Sequence, residues 1–240
     1  MKLRFAGTRG EIEPRTDRHK LHTALLVIHN RKKVMIDFGR DWAGRYNEVK
    51  PHAIVVTHAH PDHVFGLVQG VPCPVYATEY VWRDIADYPI EKRVNIKIRE
   101  PFTVCGIEFE AFMLDHSTRC PAVSYRITAG NRAIHYAPDV VYIHDRAQAL
   151  ENVKIYIGDG ATMQRSFVRK RNGNLIGHTP VKTQLGWCEK EGVPKAIITH
   201  CGTEIVTGDE QDITRKLNEW GAERGVGVRL AYDNMEVIVR

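Results

Sequence analysis

The chain has 240 residues, 43% hydrophobic and 26% charged, ordinary proportions for a globular protein with a sizeable core. Lys and Arg number 34 against 29 Asp and Glu, and the net charge of +5 suits an anionic substrate without demanding nucleic acid. No apolar run approaches a membrane span, no signal-peptide segment opens the chain, and the five cysteines are scattered with no close Cys-x-x-Cys pair; these features argue against a membrane protein, a disulfide framework and a zinc ribbon, and point to the cytoplasm.

Short strands are predicted first at Leu3 to Ala6, Thr23 to His29, Lys33 to Asp37, Ala53 to Thr57 and Pro74 to Tyr76. More follow at Ile107 to Met113, Val123 to Thr128 and Ala133 to Tyr136. Runs such as Ala53 to Val56 are continuously apolar, which suggests strands covered on both faces. Arg169-Lys170-Arg171 reads as a solvated loop.

The last third changes character. Thr179 and Pro180 open a helix as N-cap and first helical residue; Val181, Leu185 and Cys188 recur at helical spacing, and Gly192 stops the run. Lys195 to Thr199 returns as a strand. Thr207 and Glu210 form a capping-box pattern ahead of Ile213, Leu217 and Trp220, with Gly221 as the end of that helix. Val226 to Leu230 and Met235 to Val239 predict the last strands. With no repeat and no linker, residues 1–240 read as one sheet-rich α/β layered domain.

The chemistry is concentrated at Thr57-His58-Ala59-His60-Pro61-Asp62-His63, directly after the apolar run Ala53 to Val56. In an extended segment His58 and His60 project to the same side, so both imidazoles can reach one metal. Pro61 turns the chain, and Asp62 and His63 open a helix aimed at a second metal. Three more donors follow apolar runs: His116 after Glu108 to Leu114, Asp139 after Ala133 to Tyr136, and His200 after Ala196 to Thr199. Strand ends of this kind are where open α/β sheets place their sites. His178 precedes the helix start at Thr179-Pro180, where free amides and the helix dipole attract an anion.

His58-x-His60-x-Asp62-His63 with His116, Asp139 and His200 resembles the ligand series of the metallo-β-lactamase-fold hydrolases. The likeness runs from Gly7-Thr8-Arg9-Gly10 to about Gly202. Within that superfamily the chain is similar to the ribonuclease Z branch and its smaller relatives, the cyclic phosphodiesterases of phosphonate metabolism. The resemblance implies a four-layer αβ/βα sandwich. It also implies two divalent metals, zinc first, with manganese or iron also suited. His58, His60 and His116 would bind one metal and Asp62, His63 and His200 the other, with Asp139 between them.

By the same resemblance His178 would meet the scissile phosphate, and Asp62 and His178 are the catalytic candidates. The implied reaction is attack on a small or cyclic phosphodiester by a hydroxide shared between the metals. The alternatives are a lactone, thioester or β-lactam hydrolase on the same centre, or a tRNA 3′-processing endonuclease. The segments between motifs are too short for the tRNA-gripping arm, so nucleic acid is not the favoured partner; a homodimer fits the family habit. Asp159, in Ile157-Gly158-Asp159-Gly160-Ala161-Thr162, either orients His178 or holds its loop. His19 and His22 lie where the phosphonate-pathway enzymes hold zinc-binding cysteines, and without those cysteines they are expected to be solvent-exposed.

Overall fold

A computed structural model describes residues 1–240. Its first half builds strands β1 (Lys2–Gly7), β2 (Ala24–His29), β3 (Lys32–Ile36), β4 (Ala53–Val55), β5 (Val75–Thr78) and β6 (Arg93–Ile96). Helices α1 (Tyr46–Val49), α2 (Pro61–Val64) and α3 (Glu79–Asp84) lie between them. Then come β7 (Phe102–Val104), β8 (Ile107–Asp115), β9 (Ala122–Ala129), β10 (Arg132–Ala137), β11 (Tyr142–Ile143), α4 (Arg146–Leu150) and β12 (Ile155–Asp159). The remainder holds β13 (Arg169–Arg171), β14 (Asn174–Ile176), α5 (Val181–Lys190), β15 (Lys195–Thr199), α6 (Thr203–Thr207), α7 (Glu210–Ala222), β16 (Gly227–Leu230) and β17 (Glu236–Ile238).

One sheet runs β17-β1-β2-β3-β4-β5-β6; the other runs β11-β8-β9-β10-β12-β15-β16 with β7 against β8. No helix is long and apolar enough to cross a membrane.

Strand periodicity explains the layering. In β2, Leu25 and Val27 enter the core between the two sheets, whereas Ala24 and Leu26 enter the core beneath the first helical layer. In β12, Ile155 and Ile157 join the inter-sheet core and Tyr156 packs beneath α5 and its neighbours. Continuously apolar strands are thus covered on both faces, and each fully buried Leu, Ile or Val contributes about 1.5–3 kcal/mol. Three cores between four layers, α/β/β/α, make the αβ/βα sandwich. β12 itself was not among the expected strands. Its Gly158-Asp159 ending has the composition of a loop, but parallel pairing with β10 and β15 on either side holds it straight.

Helix starts and stops differ in detail from expectation. The hydroxyl of Thr179 donates to Val141 O at 2.6 Å, so it caps nothing, and α5 begins one residue after Pro180. Asp209, and not Thr207, caps α7, its carboxylate accepting from Asp212 N at 2.9 Å. Gly221 lies inside α7, where it passes close to Val226 and Val228. Arg169-Lys170-Arg171 is exposed, as one strand of the β13–β14 hairpin.

His135 is an exception in the core. It is fully buried on β10, stacked 6.2 Å from Tyr156, and neither ring nitrogen closes a hydrogen bond. Burial, with Arg126 nearby, pushes its pKa down to about 3 from 6.5. The folded state therefore binds fewer protons than the unfolded state across that interval. Its contribution is complete above pH 6.5 and is lost as pH falls toward 3. In urea unfolding, the stability of wild type relative to His135→Phe is expected to drop by about 1.4 kcal/mol per pH unit below 6.5. Parallel pH profiles for the two proteins would show that His135 carries no such linkage.

Candidate metal centre

β3, β4, β8, β10, β12 and β15 all end on one edge of the sandwich, and the polar side chains that follow them converge there. The motif segment leaves β4 extended; Pro61 takes the first helical position of α2, which turns Asp62 and His63 inward. Gly39 permits this approach, because a Cβ at that position would sit 1.7 Å from Asp62 O. Asp37 (φ 64°) and His200 (φ 50°) hold left-handed backbone, a strain of about 1–3 kcal/mol each that clusters at functional sites.

Three overlapping groups of four donors result, each with its ligand atoms within 4.8 Å of one another. The first is His58, His60, His116 and Asp139, the second Asp62, His63, Asp139 and His200, and the third Asp139, Asp159, His178 and His200. Asp139 belongs to all of them.

In the first group the ring protons can be assigned. Thr57 has one hydroxyl proton, which it donates to Asp37 at 2.9–3.0 Å, so His58 Nδ1–H donates to Thr57 Oγ1 at 3.0 Å. His116 Nδ1–H donates to Gly177 O at 3.1 Å. Both Nε2 atoms are then lone pairs, and they lie 3.0 and 3.2 Å from the same atom, His60 Nδ1. One proton cannot satisfy all three nitrogens, whereas one cation can. Burial lowers the pKa of His58, His60 and His116, that of His60 to about 4, so the rings are held neutral as ligands must be.

The second group holds two carboxylates, and they raise the pKa of His63 and His200 above the ordinary value despite burial. His63 Nδ1–H donates to Asp37 at 2.8 Å, which turns Nε2 toward Asp139 Oδ2 at 3.0 Å and Asp62 Oδ2 at 3.2 Å. His200 Nδ1 lies 2.8 Å from Asp139 Oδ1. Burial opposes the charged carboxylates of Asp62 and Asp139, yet the surrounding histidines hold both well below the usual range. His63 Nε2, His200 Nδ1 and Asp139 Oδ1 are nevertheless buried without a hydrogen bond of acceptable geometry. Donors crowded to contact distance and left unpaired fit divalent cations.

Asp37 is the residue sequence reasoning missed. It orients His63 directly and His58 through Thr57, one donor in each of the first two groups. Its signal was available: an acid ending the apolar run Val34-Met35-Ile36, like the other strand-end donors. Asp37→Asn is expected to weaken metal affinity about 10–100-fold, measured by chelator competition on folded protein. Unchanged affinity would show that this carboxylate does not set ligand orientation.

The open question about Asp159 resolves in favour of both roles. Its buried carboxylate accepts from His178 Nδ1 at 2.7 Å, and also from Val140 N at 3.0 Å and Ala161 N at 2.8 Å. His178 is partly exposed in a pocket of about 560 Å³ that also reaches His60, Asp62, His116, Asp139 and His200. Burial disfavours its charged form, but Asp159 outweighs that and raises its pKa.

His19 and His22 contradict their expected exposure. Both are buried, His19 against Thr8 Oγ1 at 2.8 Å and His22 against Asp41 and Arg9. Their partners lie on other segments, Arg9 and Asp41 ion-pairing at 2.6 Å, and no local pattern shows this. Burial lowers both pKa values to about 4. Neither joins a metal-like donor group.

A four-layer sandwich whose strand ends gather overlapping histidine–carboxylate groups defines a metallo-β-lactamase-fold protein with a site suited to divalent metal. The family model for the beta-lactamase superfamily domain matches residues 33–201, and the chain belongs to that family. No curated protein matches the sequence. Among solved structures, the chain is similar to the metallo-beta-lactamase fold protein YhfI from Bacillus subtilis, with a TM-score of 0.78, 16% identity and 98% of each chain covered. A diphosphatase from the PhnP family gives a TM-score of 0.73 at 18% identity, covering 100% of this chain and 98% of its own. The short form of human tRNase Z gives 0.65 at 17% identity, with both chains covered in full. At these identities the likeness establishes the fold.

Proposed function

We propose that the chain is a dinuclear-metal hydrolase acting on a small or cyclic phosphodiester. The observation that carries the substrate class is His178: a histidine oriented by Asp159 at 2.7 Å, facing the donor cluster across the pocket. With Nδ1 occupied, Nε2 is left to meet a ligand, and the raised pKa favours a cationic ring suited to a phosphoryl oxygen. Two of the structural neighbours carry the names diphosphatase and tRNase, of enzymes that cleave phosphorus–oxygen bonds, which supports the reading.

His58, His60, His116 and Asp139 would hold one ion, and Asp62, His63, Asp139 and His200 the second. Zinc is the first choice, and manganese and iron suit the same nitrogen and oxygen donors. Ions held there supply Lewis acidity toward the phosphoryl oxygens and lower the pKa of water. The chain's own residues do the rest. Asp62, within 3.2 Å of both His63 and His200, accepts a hydrogen bond from water at the cluster and orients it toward phosphorus. His178 donates from Nε2 to a phosphoryl oxygen or to the departing oxygen, and Asp159 holds the ring in the tautomer this requires.

The test is an assay of metal-loaded protein on bis-p-nitrophenyl phosphate, 2′,3′-cyclic nucleotides and a lactone panel, together with elemental analysis. Phosphodiester cleavage with about two ions per chain is expected. Rapid lactone turnover without phosphodiester cleavage would overturn the substrate class, and fewer than one ion per chain would end the dinuclear reading.

A further inference from the structure

Outside the donor cluster, the charged and aromatic side chains that line the pocket are Glu11, Glu204, Arg119 and Phe167. Glu204 already accepts from Met163 N at 3.3 Å, and Glu11 is paired with Arg40 at 3.2 Å. Arg119 and Phe167 have no such engagement. Arg119 is exposed, directly beyond His116, and forms no ion pair. Phe167 is 46% exposed, and with Leu175 at 41% it puts two of the five exposed large apolar side chains on one short segment beside the pocket.

Phe167 is also held in fixed relation to the centre. Its backbone N–H donates to His178 O at 3.2 Å. Gly177, at φ 106°, lets the strands close, since a Cβ there would meet Phe167 O at 2.2 Å. The carbonyl of Gly177 in turn accepts from His116 Nδ1 at 3.1 Å. An aromatic side chain whose backbone is locked to a candidate ligand and a candidate acid is a stacking platform that loses little entropy when a ligand arrives. Around it on the same segment, Arg165, Arg169, Lys170 and Arg171 are exposed and have no carboxylate partner, so the field at the mouth favours negative charge.

Resting on the phosphodiester reading, we propose that Phe167 and Arg119 are specificity-determining residues: Phe167 stacks a flat aromatic group of the substrate, and Arg119 holds a second phosphate beyond the one undergoing cleavage. The substrate class is a diester of nucleotide type, carrying a heteroaromatic ring and an additional phosphate. Stacking accepts any flat ring, so Phe167 sets the class of compound without choosing among bases. Arg119 binds a phosphate in bidentate fashion, which a lysine would not reproduce.

The test compares three chromogenic esters on the metal-loaded protein: ethyl p-nitrophenyl phosphate, thymidine 5′-(p-nitrophenyl phosphate), and the latter with a 3′-phosphate. In wild type the thymidine ester is expected to exceed the ethyl ester in kcat/KM by about tenfold, through KM. That ratio falls toward one in Phe167→Ala and is restored in Phe167→Trp. The 3′-phosphate adds about another tenfold, lost in Arg119→Gln.

Calorimetric titration with thymidine 3′,5′-bisphosphate gives a readout without turnover, with binding about tenfold weaker in Phe167→Ala and in Arg119→Gln. A wild-type ratio near one, equal losses on all three esters, or equal bisphosphate binding by all the proteins would overturn the proposal. Failure to cleave any ester ends the phosphodiesterase reading, while the calorimetry still decides this one.

Discussion

Replacing His178 by alanine is expected to lower kcat on a phosphodiester by about 10²–10⁴-fold while metal content stays at the wild-type level. The size follows from its proposed task, proton donation to an oxygen of the reacting phosphate. The selectivity follows from its position: His178 is outside the two groups proposed to hold ions and joins only the third, with Asp139, Asp159 and His200, in the same pocket. Asp159→Asn offers a second approach with a different signature. The native carboxylate serves His178, Val140 N and Ala161 N together, so its replacement disturbs the ring's tautomer and also the backbone around β12. Lower kcat is then expected with a lower melting temperature, whereas His178→Ala keeps its stability. A His178→Ala protein as active as wild type, with the same metal content, would remove this histidine from the mechanism.

Asp139→Ala is expected to be the most damaging single change at the centre. Its two oxygens reach donors of both groups: Oδ2 lies 3.2 Å from His58 Nε2 and 3.0 Å from His63 Nε2, and Oδ1 lies 2.8 Å from His200 Nδ1. Losing it takes one donor from each group and also the negative charge that balances the histidines. Lewis-acid assistance is worth several kcal/mol, so activity should fall on the order of 10³-fold or more. The same variant should lose the metal-dependent rise in melting temperature. An ion present at about 100 times its dissociation constant stabilises the folded state by about 2.7 kcal/mol, and a site that no longer binds gains none of it. Full metal content in Asp139→Ala would contradict the shared-carboxylate arrangement.

The clustered side chains are legible in the sequence for a geometric reason. His58 to His63, His116, Asp139 and His200 each follow an apolar run, and runs that form parallel or properly alternating strands must end on a common edge. Asp37 carries the same signal, but spacing alone does not separate a ligand from the carboxylate that orients one. Asp159 has the converse difficulty, because β12 ends in glycine and acid and owes its straightness to two neighbouring strands. The burial of His19 and His22 depends on Asp41 and Arg9, contacts made through tertiary structure with no periodic trace. Helix ends shifted by a residue or more where a hydroxyl found a better partner than its own helix, as Thr179 did in Val141 O.

The Asp37–Thr57 chain has a practical consequence for anyone testing the proposed two-ion centre by reducing it to one ion. Because one carboxylate steadies His58 on one side and His63 on the other, editing Asp37 or Thr57 loosens both halves and cannot isolate either. Asp139 is unsuitable for the same purpose. His60 is outside that chain and belongs to one half only, as does Asp62 to the other. Substitution at His60 or at Asp62 is therefore the route by which the two halves can be dismantled one at a time.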